Sequence, residues 1–141
     1  MARIVVGVDA SEHARRAVTW AVEEAKLRGA ELELVHGISD RDLPAWPVGH
    51  VVPTHEELEA AAQNLLAEVA ESVDTSDLSI TSHARSGTPA KRLCDAAEGA
   101  DLLVVGARGM GGFRGLLLGS VTQQVVAHAP CPVVVVVPER R

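Results

Sequence analysis

Tyrosine is absent from this chain, phenylalanine occurs once (Phe113) and tryptophan twice (Trp20, Trp46). Single-stranded nucleic acid is held by several aromatic faces on one surface, so this composition disfavours such a platform. A formal net charge of −6 argues against a general nucleic-acid binder. The two cysteines, Cys94 and Cys131, lie 37 positions apart and form no CxxC pair, which excludes a disulfide framework or a zinc site and fits a reducing compartment. His13, His50, His55, His83 and His128 show no metal-ligand spacing either. Long apolar runs are missing too. Ile4-Val5-Val6-Gly7-Val8 is broken by Asp9, too short for a signal peptide or a membrane span. The expectation is a cytoplasmic, soluble protein with no membrane or nucleic-acid partner. At 141 residues, 47% hydrophobic and 23% charged, residues 1–141 read as one ordinary globular domain.

What is present alternates between two periods. Arg3 to Val8 is a β-branched run ending at Asp9. From Glu12 to Arg28, Ala14, Ala17, Val18, Ala21, Val22 and Ala25 recur at helical spacing, and Gly29 closes the helix. Leu32 to Val35 makes a second strand ending near His36-Gly37. Thr54-His55-Glu56-Glu57 has the form of a capping box and opens a helix with Leu58, Ala61, Ala62, Leu65, Leu66, Val69 and Val73 on one face. Leu78 to Ala84 reads as a third, less buried strand. Thr88-Pro89 then starts a helix running to about Glu98. Leu102 to Val105 and Pro132 to Val137 are apolar at consecutive positions, as in strands covered on both faces. Five strands alternating with four helices predict an α/β fold with a mainly parallel sheet and helices on both sides. The one long connection, 38–53, carries Pro44, Pro47 and Pro53 and reads as a loop that covers a site or moves.

Open parallel sheets bind ligands beyond the carboxyl ends of their strands. Asp9, His36-Gly37 and the segment from Gly106 onward should meet there. Six of the chain's 12 glycines fall between positions 106 and 119. A turn needs one or two; this density suggests a backbone that presents its N–H groups to something close. No Asp or Glu occurs between Asp101 and Glu139, although the chain has 19, while Arg108 and Arg114 lie in the glycine-rich stretch. Gly119-Ser120 opens a further helix through Val121, Thr122, Val125 and Val126, whose N-terminus adds to an anion cradle. There is no GxxxxGK[ST] and no lysine in this stretch, so the chain is not a P-loop NTPase. GxGxxG fails at Arg114, and the loop follows the fourth strand rather than the first, which disfavours a dinucleotide dehydrogenase.

What remains is Gly106-x-x-Gly109, nine residues, then Gly119-Ser120. With Val5-Val6-Gly7-Val8-Asp9-Ala10-Ser11 at the start and Ala129-Pro130-Cys131-Pro132 before the last valine run, the chain resembles the universal stress protein family over nearly its whole length. The resemblance implies a Rossmann-like open sandwich, a five-stranded parallel sheet in the order 3-2-1-4-5, and dimers through the last strand. It also implies the ATP-binding subgroup, which carries this motif. By that resemblance Asp9 contacts the ribose or the metal–phosphate region, and backbone at Val8 and Gly37 holds adenine. Val105 and Gly106 line the ribose side, and Arg108, Gly109, Gly119, Ser120 and Val121 hold phosphates with Mg2+ or Mn2+. Gly7, Ala107, Met110, Gly111 and Gly112 complete the expected cofactor-binding set. A carboxylate repels phosphate, so hydroxyls or a divalent cation suit Asp9 best.

Each residue also has a plainer reading. Asp9 suits a helix cap, Ser120 with Gln123 forms a capping box, and Arg114 suits a solvated loop. His36 suits a structural role at a strand end, Gly87 a turn, and both cysteines packing. The valine run Val133–Val137 would leave an open sheet edge, and pairing with its twin in a homodimer would close it. Four functions follow: a dimeric ATP-binding regulator acting in stress response through an unspecified protein partner; a slow ATPase; a module for AMP or cyclic AMP; or a ligand-free interaction protein. Only Arg108 and Asp9 offer themselves for hydrolysis, and a broken motif would be expected of the last, so the regulator leads.

Overall fold

The computed structural model describes residues 2–38, 53–109 and 118–138. Met110, Gly111 and Gly112, and nearly all of the 38–53 connection, lie outside them. Five strands alternate with four helices: β1 (Arg3–Gly7), α1 (Glu12–Arg28), β2 (Glu31–Ile38), α2 (His55–Glu71), β3 (Ile80–Ser86), α3 (Pro89–Ala96), β4 (Leu102–Gly106), α4 (Ser120–His128) and β5 (Val133–Val136). The strands form one sheet in the order β3-β2-β1-β4-β5. Every pair is parallel.

The consecutive apolar residues of β1 and β4 divide between two cores by the two-residue period of a strand. Ile4, Val6, Leu32, Leu34, Leu102 and Val104 pack with Ala17, Val18, Ala21 and Val22 of α1 and Leu66 and Val69 of α2. Val5, Val35, Leu103 and Val105 turn the other way, onto Ala90 and Leu93 of α3 and Val125 of α4. All five residues of β4 are buried, as expected of a strand with helices on both faces. The Ser11 hydroxyl caps α1 by accepting from the Ala14 N–H at 3.1 Å, and Gly29 ends that helix at φ 62°. Thr54 caps α2 at the Glu57 N–H, 3.1 Å away. Pro89 stands at the start of α3 without a side-chain cap from Thr88.

Three expectations shift. Strand β3 begins two residues later than hydrophobicity indicates and runs on to Ser86. Leu78 donates its N–H to the Thr75 carbonyl at 3.1 Å, and Asp77 sits at φ 63°, so that stretch is a turn. The ladder to β2, which extends to Ile38 opposite Ser86, carries the polar end of β3 along. Helix α3 stops at Ala96, where the Arg3 guanidinium donates to the carbonyls of Ala96 (2.8 Å) and Glu98 (2.6 Å). The third correction concerns β5: its four valines are only half-buried, not fully covered as the apolar run suggests. It is the edge strand, and both faces are covered only in part, by one core under Val134 and Val136 and by the other under Val133 and Val135.

Candidate functional site

At the carboxyl ends of β1, β2 and β4 lies a cleft of about 670 Å³. Eleven of the fifteen sequence-derived positions line it: Gly7, Val8, Asp9, Gly37, Val105, Gly106, Arg108, Gly109, Gly119, Ser120 and Val121. Ala107 does not. It is 2% exposed, its N–H bonds the Val136 carbonyl at 3.1 Å, and its own carbonyl accepts from the Gly119 N–H at 2.8 Å.

The glycines serve two purposes. A Cβ on Gly7 would fall 2.8 Å from a Leu93 methyl, on Gly37 2.6 Å from Pro89 Cα, and on Gly106 2.6 Å from the His13 carbonyl. Those three are required by helices α3 and α1 and need no ligand to explain them. Gly109 and Gly119 differ. A Cβ on Gly109 would lie 2.7 Å from Asp9 Oδ2, and one on Gly119 would lie 3.2 Å from Arg108 Cα and 3.3 Å from the Gly109 nitrogen. Their smallness lets the first turn of α4, the end of β4 and a carboxylate converge on one point.

At that point the first turn of α4 is open. Gly119, not Ser120, is the N-cap residue, and it has no side chain to cap with. The expected Ser120–Gln123 capping box is therefore not formed. Ser120 is already helical, and the Gln123 amide turns back to the Leu118 carbonyl at 2.8 Å. The N–H groups of Ser120 and Val121 are among those a helix start leaves without intrahelical partners, and the Ser120 hydroxyl stands exposed beside them. Thr122 is buried, its hydroxyl donating to the Gly106 carbonyl at 2.8 Å, which holds α4 against β4.

Asp9 is not the cap of α1, since Ser11 takes that place. Its Oδ1 accepts from the Ser11 N–H at 2.7 Å, an Asx turn that leaves Oδ2 facing Gly109. Among the described residues no group of three or more His, Cys, Asp or Glu could hold a metal ion. One carboxylate oxygen is fewer protein ligands than a divalent cation takes.

Two features of the site were not legible in the sequence, the α2 wall and the packing of His13 behind Gly106. Leu58, Ala61, Ala62 and Leu65 of α2 line the cleft together with Ile38, Pro89 and Leu93, making one end of it apolar. Their helical spacing reads as a core stripe, yet Ala61 is exposed and Leu58 half-buried because the stripe slides past the end of β2. His36 lines the cleft, as its place at the end of β2 leads one to expect, with Nδ1 2.7 Å from the Val8 carbonyl. The Val8 N–H donates to the Val35 carbonyl at 2.8 Å, so both backbone groups of Val8 are engaged and the residue serves as cleft wall. His13 packs against Gly106 with Nδ1 buried and without a partner. Burial first, then the cations Arg108 and Arg16, push its titration below the ordinary value of 6.5, against the opposing pull of Asp9 and Glu12. The sequence signal was its place in the first turn of α1, four residues after Asp9.

Other candidates lie elsewhere. Gly87, at φ 133°, is covered by the Arg92 guanidinium and does not line the cleft. Cys94 and Cys131 pack against the α3/α4 core as free thiols, and burial pushes both upward in pKa. No described helix is long and apolar enough to cross a membrane.

The sequence profile of the universal stress protein family matches residues 1–137. The chain belongs to the universal stress protein family. It is 38% identical over 141 residues to a universal stress protein of Thermus aquaticus, covering 94% of this chain and 96% of that one. It is 36% identical over 139 residues to one from Mycolicibacterium smegmatis, covering 94% of this chain but 47% of the relative. The chain thus spans about half the length of that mycobacterial relative. Among solved structures it resembles the universal stress protein UspA from Lactobacillus plantarum (29% identity, TM-score 0.72, 96% and 97% of the two chains). A universal stress protein in complex with cAMP is 28% identical (TM-score 0.72, 96% of each chain). One from Archaeoglobus fulgidus in complex with dAMP is 26% identical (TM-score 0.69, 96% and 97%). The universal stress protein fold, with its 3-2-1-4-5 sheet, is the architecture described above.

Proposed function

We propose that the cleft binds an adenine nucleotide, ATP by its motif, in a dimeric cytoplasmic protein that regulates rather than turns its ligand over. The observation that carries this reading is the convergence of Asp9, Gly109, Gly119 and Ser120 at one end of a cleft whose other end is apolar. Helix N-terminal N–H groups and the Ser120 hydroxyl satisfy phosphate oxygens without a lysine. The slot between β2 and α2 takes the base, and the Gly37 backbone lies beyond the β1 ladder, whose register ends at Gly7 opposite Val35. Asp9 Oδ2 takes a ribose hydroxyl or Mg2+ or Mn2+ arriving with the phosphates. Such an ion would neutralise phosphate charge beside that carboxylate. Complexes of similar proteins with cAMP and dAMP support an adenine nucleotide and favour a second reading, in which a monophosphate such as AMP or cyclic AMP is the physiological ligand.

The test begins with protein purified without added nucleotide, denatured, and the released nucleotide identified by mass spectrometry. Titration calorimetry with ATP, AMP and cyclic AMP, with and without Mg2+, follows. ATP that stays intact on incubation supports the regulator, and ADP accumulating with time favours a slow ATPase. Tighter binding of cyclic AMP or AMP favours the second reading. No released nucleotide and no heat with any of the three would overturn the proposal.

A further inference from the structure

The Val8 carbonyl fixes a proton. It accepts from His36 Nδ1 at 2.7 Å, and a carbonyl has none to give, so in the neutral ring the hydrogen sits on Nδ1 and Nε2 is a bare acceptor. The contact joins the ends of β1 and β2, so sheet geometry and not solvent selects the tautomer. Leu32 and Leu34 share the face of β2 that His36 occupies, the face covered by α1 and α2. His36 lines the cleft alongside Leu58, Ala61 and Leu65 of α2 and is only half-buried. His36 therefore brings a ring of fixed polarity to the apolar end of the cleft, and that ring cannot turn without breaking its bond to Val8.

We propose that His36 Nε2 is the specificity-determining acceptor of this cleft, selecting a purine with a 6-amino group over one with a 6-carbonyl. The inference rests on the adenine-nucleotide reading and deepens it. An amino group offers a donor to Nε2. A carbonyl at the same place sets two acceptors against each other, and the hydrogen bond that favours the amino group is lost. His36 thereby converts a non-directional apolar slot into one that reads the edge of the base.

The experiment is calorimetric titration of the whole chain with three triphosphates: ATP, purine riboside triphosphate (hydrogen in place of the amino group) and inosine triphosphate (carbonyl in its place). The wild-type chain should prefer ATP over purine riboside triphosphate by roughly fivefold, the worth of one net hydrogen bond, and over inosine triphosphate by more. His36→Asn sets an amide nitrogen near the position of Nδ1, keeping the Val8 carbonyl occupied while removing the far ring nitrogen. In that variant the affinities for ATP and purine riboside triphosphate should converge to within about twofold. His36→Gln, whose side-chain oxygen reaches as far as Nε2, should restore part of the preference. Equal weakening of both ligands by His36→Asn, with the ratio kept, would show that His36 only supports the wall and would overturn the proposal. A wild-type chain indifferent to the 6-amino group overturns it as well. A wild-type chain that binds none of the three defeats the nucleotide reading first, and that result is distinct from a loss of selectivity alone.

Discussion

Ser120 is where the capping and ligand readings of one hydroxyl part company. As the first residue of α4 rather than its cap, it contributes no cap bond whose loss would cost the usual ~1 kcal/mol. Ser120→Ala should leave the thermal midpoint nearly unchanged and weaken nucleotide binding by about tenfold, as expected when a donor to a charged group is lost. Calorimetry and a melting curve on the same preparation check both halves. His13 makes a prediction in pH. Its titration is held below 6.5 in the folded chain, so below that pH the unfolded chain takes up the proton first and stability declines as pH falls. His13→Gln should shrink the drop in thermal midpoint between pH 7 and pH 5. An equal drop in both proteins would mean that His13 does not contribute to the acid loss.

Elements converge on the site through backbone contacts, and glycine substitutions should sort by which contact they break. Gly106→Ala drives a methyl into the α1 backbone at His13 and should destabilise the fold. Gly109→Ala meets only the Asp9 carboxylate, 2.7 Å away. The latter should fold normally and lose about tenfold or more in nucleotide affinity, the scale of an overpacked contact. Comparing the two by circular dichroism and calorimetry tests that division. It also shows how far the sequence could be read. The glycine density after β4 pointed to the cleft, which Gly106, Gly109 and Gly119 line, and Gly119-Ser120 marked the start of α4. Which glycine is held by a helix and which by the Asp9 carboxylate or the Arg108 backbone depends on where α1 and α3 cross the sheet, and no local pattern encodes that. Leu58, Ala61 and Leu65 eluded the reading for the same reason, since a stripe at helical spacing looks alike over a core and over a cleft. The polar end of β3 was hidden because its ladder to β2, not its side chains, makes it a strand.

At the scale of the whole molecule the unfinished surface is β5. The Pro132 and Val136 carbonyls accept from Leu103 and Ala107, so by strand alternation the Val133 and Val135 backbones point away from β4. An apolar edge of this kind invites a second copy. We expect a dimer of the 14.8 kDa chain in solution. Val135→Pro removes an outward N–H, the one kind of ladder site where proline is tolerated, and should shift the mass toward one chain while the fold persists. Sedimentation of the wild-type chain as a monomer would dismiss this interface.

The bonds from Gly119 to the Ala107 carbonyl and from Thr122 to the Gly106 carbonyl have an evolutionary consequence. They fasten the two ends of the intervening segment to each other independently of what lies between them. A connection whose ends are already tied together can change length cheaply, each doubling costing only about 0.6 kcal/mol in closure entropy. The fold itself therefore sets little penalty on the length of chain between Gly109 and Gly119, so a fixed nine-residue spacing there answers to the proposed ligand and not to stability. Spacing in such a segment is a record of selection for binding, because folding alone would let it drift.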